Sequence, residues 1–223
     1  MLSLVPPIPA PAALLAETLG PARRGLKEKG VHQLRVATRR VDVWLRLAGY
    51  HVLRDDLRWI RGVAGAARDL DVLLGLEWPD EVRERLRRER KLARSTLADA
   101  LAGPRPDAIV AALAVLPAIP APAAARATRG LVRGLLTLVV DPTVPAEVHQ
   151  RRRRLRRIRY AYELLGSRLD PLIALQDVLG RVSDLWIRRQ HVPHSVPDAL
   201  LAEGLAEAEA AWQRERPTLE SLA

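Results

Sequence analysis

The 223-residue chain contains no cysteine, no phenylalanine and no asparagine, and aromatic residues make up only 4% of it. The absence of cysteine excludes disulfides, thiolate metal ligands and cysteine nucleophiles. Hydrophobic residues still account for 48% of the chain, and they are mainly leucine, alanine and valine. Leucine and alanine are strong helix formers, whereas β-sandwiches are rich in aromatic residues. We therefore predict an all-α fold.

The sequence also lacks an uncharged apolar run of transmembrane length. Its apolar N-terminal segment, Met1–Leu15, is interrupted by four prolines and has no basic residues at its start. This pattern differs from that of a secretory signal peptide. We expect a cytoplasmic protein that does not associate with membranes.

Positive charge is abundant. The net charge is +10, and 33 of the 36 basic residues are arginine. Such a balance favours an anionic partner, and nucleic acid, polyphosphate and an anionic membrane surface are the general candidates. Arginine suits phosphate because its planar guanidinium presents a fork of hydrogen-bond donors.

Two stretches of the chain begin with a histidine and continue with arginines at the same spacings. They are VHQLRVATRR at residues 31–40 and VHQRRRRLRR at residues 148–157. Superposition of His32 on His149 aligns Arg35 with Arg152, Arg39 with Arg156 and Arg40 with Arg157. At a nearly equal offset, GAARDL from Gly65 aligns with GRVSDL from Gly180. The repetition predicts two similar halves.

Helical geometry gathers the basic residues of each stretch on one side. At about 100° per residue, His32, Arg35, Arg39 and Arg46 fall within roughly 60° of one another, and apolar residues occupy the opposite side. The first basic face consists of His32, Arg35, Arg39 and Arg46, and the second basic face of His149, Arg152, Arg153 and Arg156. Like charges three or four residues apart repel, and either bulk water or a bound polyanion compensates. Recurrence of the histidine with the arginines favours the polyanion.

Proline and glycine positions predict eight or nine helices and no strand. The predicted helices cover 11–19, 32–48, 54–76, 79–101, 106–116, 123–139, a segment from 145, 170–189 and a segment from 197. A break at Gly20–Pro21 should follow the first helix. We predict a proline-rich N-terminal segment with the first helix at 1–19, a main domain at 20–215 and a tail at 216–223. Within the main domain, a proline-rich connector at 117–122 should separate the halves 20–116 and 123–215.

The two repeated stretches and their sequels resemble the CHAD family, the conserved-histidine α-helical domain. VHQLRVATRR followed by AARDLDVLL at residues 66–74 is similar to the N-terminal signature of that family. LRRIRYA at residues 155–161 and LQDVLG at residues 175–180 are similar to its C-terminal counterpart. The resemblance spans roughly residues 20–215.

This resemblance implies two helical-bundle halves around a basic central groove or pore. It also implies binding of inorganic polyphosphate, often at polyphosphate granules. The Glu-x-Glu-x-Lys signature of the triphosphatase domain to which such domains can be fused does not occur in the sequence, so a stand-alone module is expected. Arg151 and Arg153 depart from the family pattern, which has apolar residues at these positions, and the facing of the second helix is therefore open.

The repeats supply the candidate binding residues. His32 and His149 are predicted to donate hydrogen bonds to phosphate oxygens; the alternative is a histidine that caps its helix or bonds within the core. The arginines of the basic faces should make charge-assisted, bidentate contacts. Three flanking arginines either bind the anion or form salt bridges: Arg40, Arg157 and Arg159. Asp69 and Asp184 are predicted to orient arginines, the alternative being a divalent ion that is shared with phosphate.

Further basic groups lie outside the repeats. A sparser set with few acidic neighbours is also a candidate for polyphosphate binding: Arg126, Arg129 and Arg133. A third series is interspersed with glutamates and is expected to be a solvated face: Arg83, Arg87, Arg90 and Arg94. His191 and His194 are not predicted to bind a metal, because Pro193 interrupts the helical spacing.

We predict a binding protein rather than an enzyme. No serine or carboxylate pair stands in a setting typical of catalysis, no glycine-rich phosphate loop occurs, and no cofactor or metal is expected. Nucleic-acid binding is an alternative. It is disfavoured because the tryptophans Trp44, Trp59 and Trp186 fall at core positions rather than among the basic residues, and because asparagine, a base-reading residue, is absent. A scaffold that recruits a partner protein to granules is a further alternative, with the N-terminal segment as a docking element.

Overall fold

The computed structural model describes residues 8–25 and 27–223, and these residues form the predicted all-α fold. The described residues contain nine helices: α1 (Ala12–Gly25), α2 (Glu28–Leu47), α3 (Arg54–Leu74), α4 (Asp80–Ala102), α5 (Arg105–Ala114), α6 (Ala121–Leu136), α7 (Pro145–Leu164), α8 (Asp170–His191) and α9 (Asp198–Ser221). Most begin at or next to a proline, whose fixed φ suits the first turn. None of the described helices is long and apolar enough to cross a membrane.

The chain divides into two compact units, the first ending at Pro120 and the second spanning Ala121–Ala223. In the first unit α1 packs against α2, α4 and α5, while α2 pairs with α3 and α3 with α4. In the second unit α6, α7, α8 and α9 pack in chain order, and α9 also contacts α6. Each unit thus contains one helical hairpin with a basic face, α2–α3 in the first and α7–α8 in the second.

The N-terminal end of the described chain is fixed in the first unit. Ile8 and Ile119 exchange two backbone hydrogen bonds of 2.9 Å. The indole of Trp44, which is fully buried, donates to the carbonyl of Ile8 at 3.3 Å. Residues 1–7 of the predicted N-terminal segment lie outside the described residues.

The predicted break at Gly20–Pro21 is wrong, because α1 continues through both residues. Proline within a helix removes one hydrogen bond, but Gly20 has no Cβ to clash with the following proline ring. Leu19 and Ala22 on either side are buried, so packing compensates for the lost bond.

The predicted tail at 216–223 is also wrong, since α9 includes Pro217 and ends only at Ser221. Leu219 is fully buried, and the hydroxyl of Tyr162 donates to the carbonyl of Leu222 at 3.4 Å. The end of the chain therefore belongs to the second unit. In contrast, α6 ends at Leu136, before the predicted residue 139.

Candidate functional site

Both repeat histidines are the fifth residue of their helices, α2 and α7. His32 is exposed. His149 is half-buried, and its ring centroid lies 5.4 Å from that of Trp186. Neither histidine is at the helix start, so the capping alternative does not apply, and the exposed His32 is not in the core.

The first basic face is outward because the opposite side of α2 is buried, as the periodicity predicts. Leu34, Thr38, Val41 and Leu45 are all fully buried. Arg39 and Arg40 remain half-buried on the outer side of the helix. The amphipathic pattern alone therefore determines which side of α2 is available to a ligand.

Arg35 is held against α3 at a glycine. Its Nη1 donates to the backbone carbonyl of Gly65 at 2.8 Å and to Oδ1 of Asp69 at 3.2 Å. A Cβ at Gly65 would lie 3.2 Å from this nitrogen, which is closer than side chains normally approach. Any larger residue at this position would force the guanidinium to move by a few tenths of an ångström, and Asp69 forms a contact with the arginine.

Arg152 of the second basic face lies against α8 at the aligned glycine. A Cβ at Gly180 would lie 3.3 Å from Nη2 and 3.5 Å from Nε of Arg152. Asp184, one turn further along α8, interacts electrostatically with the same arginine. The aligned arginine, glycine and aspartate of each repeat therefore meet within their own hairpin.

The histidine of the first face has a perturbed pKa. Partial desolvation, followed by the positive charges of Arg68, Arg39 and Arg35, lowers the pKa of His32 below its ordinary value of 6.5, and Glu28 opposes the shift. The free site thus disfavours further positive charge. A bound anion would reverse this effect, because it favours the imidazolium.

The carboxyl of Asp184 shows the opposite kind of shift. Its side chain is accessible to solvent, yet neighbouring protein displaces enough water for desolvation to raise its pKa, while Arg152 partly offsets this effect. Desolvation thus opposes the charged form of this carboxyl, and Arg152 favours it.

The facing helix α3 contributes arginines that the sequence analysis did not assign. Arg54, Arg61 and Arg68 follow one another at intervals of seven residues, which places them on one side of the helix. Arg68 forms an ion pair with Glu28 of α2 and affects the pKa of His32. The seven-residue spacing was the signal in the sequence, but it stands outside the repeated stretches.

Arg46 lies apart from the other residues of the first basic face, in an ion-pair cluster around Asp42. Asp42 is buried, and its carboxylate accepts a hydrogen bond of 3.1 Å from Nε of Arg46. Arg54 and Arg61 of α3 approach the same carboxylate at 3.5 and 3.7 Å. Asp42 was not among the candidate residues.

The residues of this cluster are not repeated at the aligned positions of the second unit. At the offset of the second motif, the α3 arginines align with Leu169, Gln176 and Ser183. At the offset of the histidines, Asp42 and Arg46 align with Arg159 and Glu163, so the order of charges is reversed. Arg159 lies 3.6 Å from Glu163, and its guanidinium lies 4.8 Å from the centroid of the Tyr160 ring. Of the two roles considered for Arg159, this contact corresponds to the salt bridge.

Arg151 and Arg153, the two departures from the family pattern, occupy different environments. Arg151 is buried, donates to Glu209 of α9 at 2.7 Å and stacks over Trp212 at 4.4 Å. Arg151 therefore occupies the position of an apolar core residue, and Glu209 and Trp212 provide the partners that its guanidinium needs. Arg153 is exposed, while Arg156 and Arg157 are half-buried.

The remaining arginine series fall into two groups. Those of α6 are all exposed: Arg126, Arg129 and Arg133. On α4, the prediction of a solvated face is wrong for Arg90 and Arg94, which bind the buried Asp71 of α3 at 2.6 and 2.8 Å. These two arginines join α4 to α3, because Asp71 needs charged partners in the core.

Neither of the two basic faces resembles a metal centre. Within the described ranges, no three His, Cys, Asp or Glu side chains lie close enough together to hold a metal ion. Of the tryptophans predicted to be in the core, Trp44 is fully buried, whereas Trp59 and Trp186 are half-buried. Trp59 is covered by Arg105 at 4.3 Å.

Fold and site together define a class of helical protein in which a histidine-led arginine face recurs on two hairpins. The chain belongs to the CHAD family, since the CHAD domain model matches residues 12–193. This is the family that the sequence motifs resemble.

Two solved structures share the fold. The crystal structure of the CHAD domain from the plant Ricinus communis superposes with a TM-score of 0.66 at 24% identity, covering 99% of this chain and 92% of that one. PptA from Streptomyces chartreusis superposes with a TM-score of 0.63 at 22% identity, covering 98% and 95%. No curated protein matches the chain.

Proposed function

We propose that this protein binds inorganic polyphosphate, without chemical turnover, through its arginine- and histidine-bearing helical faces. The observation that carries the proposal is the recurring arginine–glycine contact, Arg35 over Gly65 and Arg152 over Gly180. In each hairpin the contact restricts one guanidinium beside a histidine one turn earlier. A restricted arginine loses less conformational entropy when it binds a phosphate.

The charge around His32 supports an anionic ligand. Desolvation, followed by the positive charges of Arg68, Arg39 and Arg35, lowers the pKa of His32 in the free protein. Phosphate oxygens would offset these positive charges and accept hydrogen bonds from the same groups. Membership in the CHAD family supports polyphosphate in particular.

The extent of the basic surface favours a polymer over a small anion. Arg35 and Arg46 are eleven residues apart on α2, which is about 16 Å along the helix axis at 1.5 Å per residue. The exposed arginines of α6 would extend the surface in the second unit: Arg126, Arg129 and Arg133. Arg40 and Arg157 complete the proposed binding set, in which each unit contributes its own basic face. Binding to polyphosphate would also place the protein at granules.

Nucleic-acid binding is the second candidate, and Trp186 is the observation that favours it. This half-buried indole lies beside His149, where a nucleobase would be able to stack. In the described part of the first unit, no comparable aromatic contact of His32 is observed. Polyphosphate has no nucleobase and therefore requires no stacking ring.

A competition assay separates the two. Fluorescently labelled long-chain polyphosphate is bound to the protein and displaced by unlabelled polyphosphate, single-stranded DNA or duplex DNA at matched phosphate concentration and salt. We expect polyphosphate to compete much better than either DNA. The logarithm of the affinity should fall by about 0.7 per phosphate contact per log unit of salt. Equal competition by DNA would contradict the proposal, and shortening of the polymer during incubation would contradict binding without turnover.

A further inference from the structure

One carboxylate in the first unit is surrounded by three arginines. The Asp42 side chain is 7% exposed, and nitrogen atoms of Arg46, Arg54 and Arg61 lie 3.1, 3.5 and 3.7 Å from its oxygens. Three guanidinium groups thus share one buried carboxylate. The cluster joins the C-terminal end of α2 to the N-terminal half of α3.

This arrangement exceeds what a structural ion pair needs. Only the contact from Arg46 is within ordinary hydrogen-bonding distance, while the other two are ion-pair distances. One partner would be enough to compensate the carboxylate, and each added guanidinium repels the first. All three arginines nevertheless keep part of their surface in solvent, where an anion is able to reach them.

We propose that Asp42 and its three arginines form an oxyanion-binding site, the Asp42 subsite, that takes a phosphoryl group. Asp42 is the positioning residue, since it gathers Arg46, Arg54 and Arg61 around one point, and the arginines are the ligand-binding residues. The ligand is inorganic phosphate or a phosphoryl unit of a longer chain. In the second case the inference rests on the proposed polyphosphate binding.

The residues of the subsite do not recur at the aligned positions of the second unit. The aligned positions of α8 are Leu169, Gln176 and Ser183, and the aligned pair on α7 is Arg159 with Glu163. These aligned positions supply one arginine instead of three. The two repeats therefore differ in capacity, although their histidine ends correspond, and the first unit is expected to engage more phosphates of a long chain.

Anion rescue of stability tests the subsite directly. Asp42→Asn removes the carboxylate that Arg46, Arg54 and Arg61 share, so its Tm should fall. Inorganic phosphate, compared with chloride at equal ionic strength, should then raise the Tm of Asp42→Asn by at least about 3 °C more than that of the wild type. Asp55→Asn is the matched control, because it removes the same charge from an exposed pair with Arg58 on α3.

A phosphate-induced rise that is the same in Asp42→Asn, Asp55→Asn and the wild type would overturn the proposal. If Asp42→Asn does not fold in either salt, a second pair of variants decides. Arg54→Gln with Arg61→Gln should weaken binding of long polyphosphate at least tenfold, whereas Arg88→Gln with Lys91→Gln on the exposed side of α4 should change it less than twofold. Equal losses in the two pairs would overturn the subsite.

The outcomes also separate this inference from the proposed function. Phosphate rescue without binding of long polyphosphate by the wild type would support a site for free phosphate and contradict the polymer function. Polyphosphate binding that is unaffected by Arg54→Gln with Arg61→Gln would retain the function and remove the subsite. Tripolyphosphate should bind the wild type far more weakly than the long polymer, because it is too short to reach both Arg35 and Arg46.

Discussion

The guanidinium of Arg152 lies directly over the backbone of Gly180, so that a Cβ there would be 3.3 Å from Nη2. Arg35 has the same relationship to Gly65, at 3.2 Å. Both glycines stand in the middle of helices, where glycine costs about 1 kcal/mol relative to alanine. We expect this loss of helix propensity at Gly65 and Gly180 to be compensated by the contribution that the position of each arginine makes to binding.

Alanine at both glycines should therefore improve the helices and impair binding. Gly65→Ala with Gly180→Ala displaces both guanidiniums by a few tenths of an ångström or more, and we expect the affinity for polyphosphate to fall about tenfold. The free energy of unfolding should stay within about 1 kcal/mol of the wild type, since the gain in helix propensity opposes the displaced contacts. Calorimetric titration and urea denaturation measure the two effects.

The chain supplies a matched control for these substitutions. A Cβ at Gly62 or Gly130 meets nothing within 4 Å, although both residues are also within helices. Gly62→Ala with Gly130→Ala should leave polyphosphate affinity unchanged. If this pair weakens binding as much as the first, the arginine–glycine contact has no part in the site.

Charge reversal should distinguish the basic faces from general positive charge. Arg39→Glu with Arg156→Glu places one carboxylate in each face, and we expect polyphosphate binding to be lost while far-UV circular dichroism remains helical. Arg88→Glu with Lys91→Glu on α4 lowers the net charge equally and should weaken binding only a few-fold. Comparable losses would mean that net charge drives binding, and loss of the helical spectrum in the first pair would assign those arginines to folding.

Binding should become tighter as the pH falls. The pKa of His32 lies below 6.5 in the free protein because of desolvation and Arg68, Arg39 and Arg35, so its imidazole is neutral near pH 7. A polyanion raises this pKa, and binding then takes up a proton. Affinity should rise as the pH falls below neutrality through the pKa of the bound state.

His32→Gln should reduce the pH dependence, whereas His191→Gln, at the end of α8, should preserve it. An unchanged pH profile in His32→Gln would contradict a role for the imidazolium in binding. In the free protein, folding stability depends on pH with the opposite sign to polyphosphate affinity. Because the folded-state pKa is lowered, the unfolded state binds more protons, and the stability contributed by neutral His32 is lost as the pH falls below 6.5.

Removing the arginines from the Asp71 ion pairs should lower stability more than removing the carboxylate. The Asp71 side chain is 1% exposed, whereas Arg90 and Arg94 reach solvent. Arg90→Ala with Arg94→Ala leaves a buried, uncompensated carboxylate and should lower the free energy of unfolding by about 3–5 kcal/mol. Asp71→Asn should cost less, because the released arginines become hydrated. Urea denaturation of both variants tests this order, and a larger loss in Asp71→Asn would contradict it.

Local sequence signals predicted the helices well, because prolines lie at most helix starts and the apolar period is regular. Pro21 and Pro217 were misleading, because packing of their neighbours outweighs one missing hydrogen bond in each helix. A single-sequence pattern shows the proline but not the buried Leu19 or Leu219 that compensates for it.

The site was predictable where it follows the repeat. His32, Arg35 and Asp69 were identified because each has an aligned partner in the second half. Asp42 was missed because its aligned residue is Arg159, so the repeat concealed it. Arg90 and Arg94 were placed in solvent because their partner Asp71 lies on another helix, and such tertiary pairing leaves no periodic signal.

The pairing of Ile8 with Ile119 has a consequence for how the first unit is closed. It brings the start of the described chain next to the segment that leads out of the unit at Pro120. Entry and exit are thus adjacent, the arrangement that suits circular permutation. In the first unit taken by itself, new termini in the loop between α4 and α5, with a short linker from residue 119 back to residue 8, should preserve the burial of Trp44 and the α2–α3 hairpin.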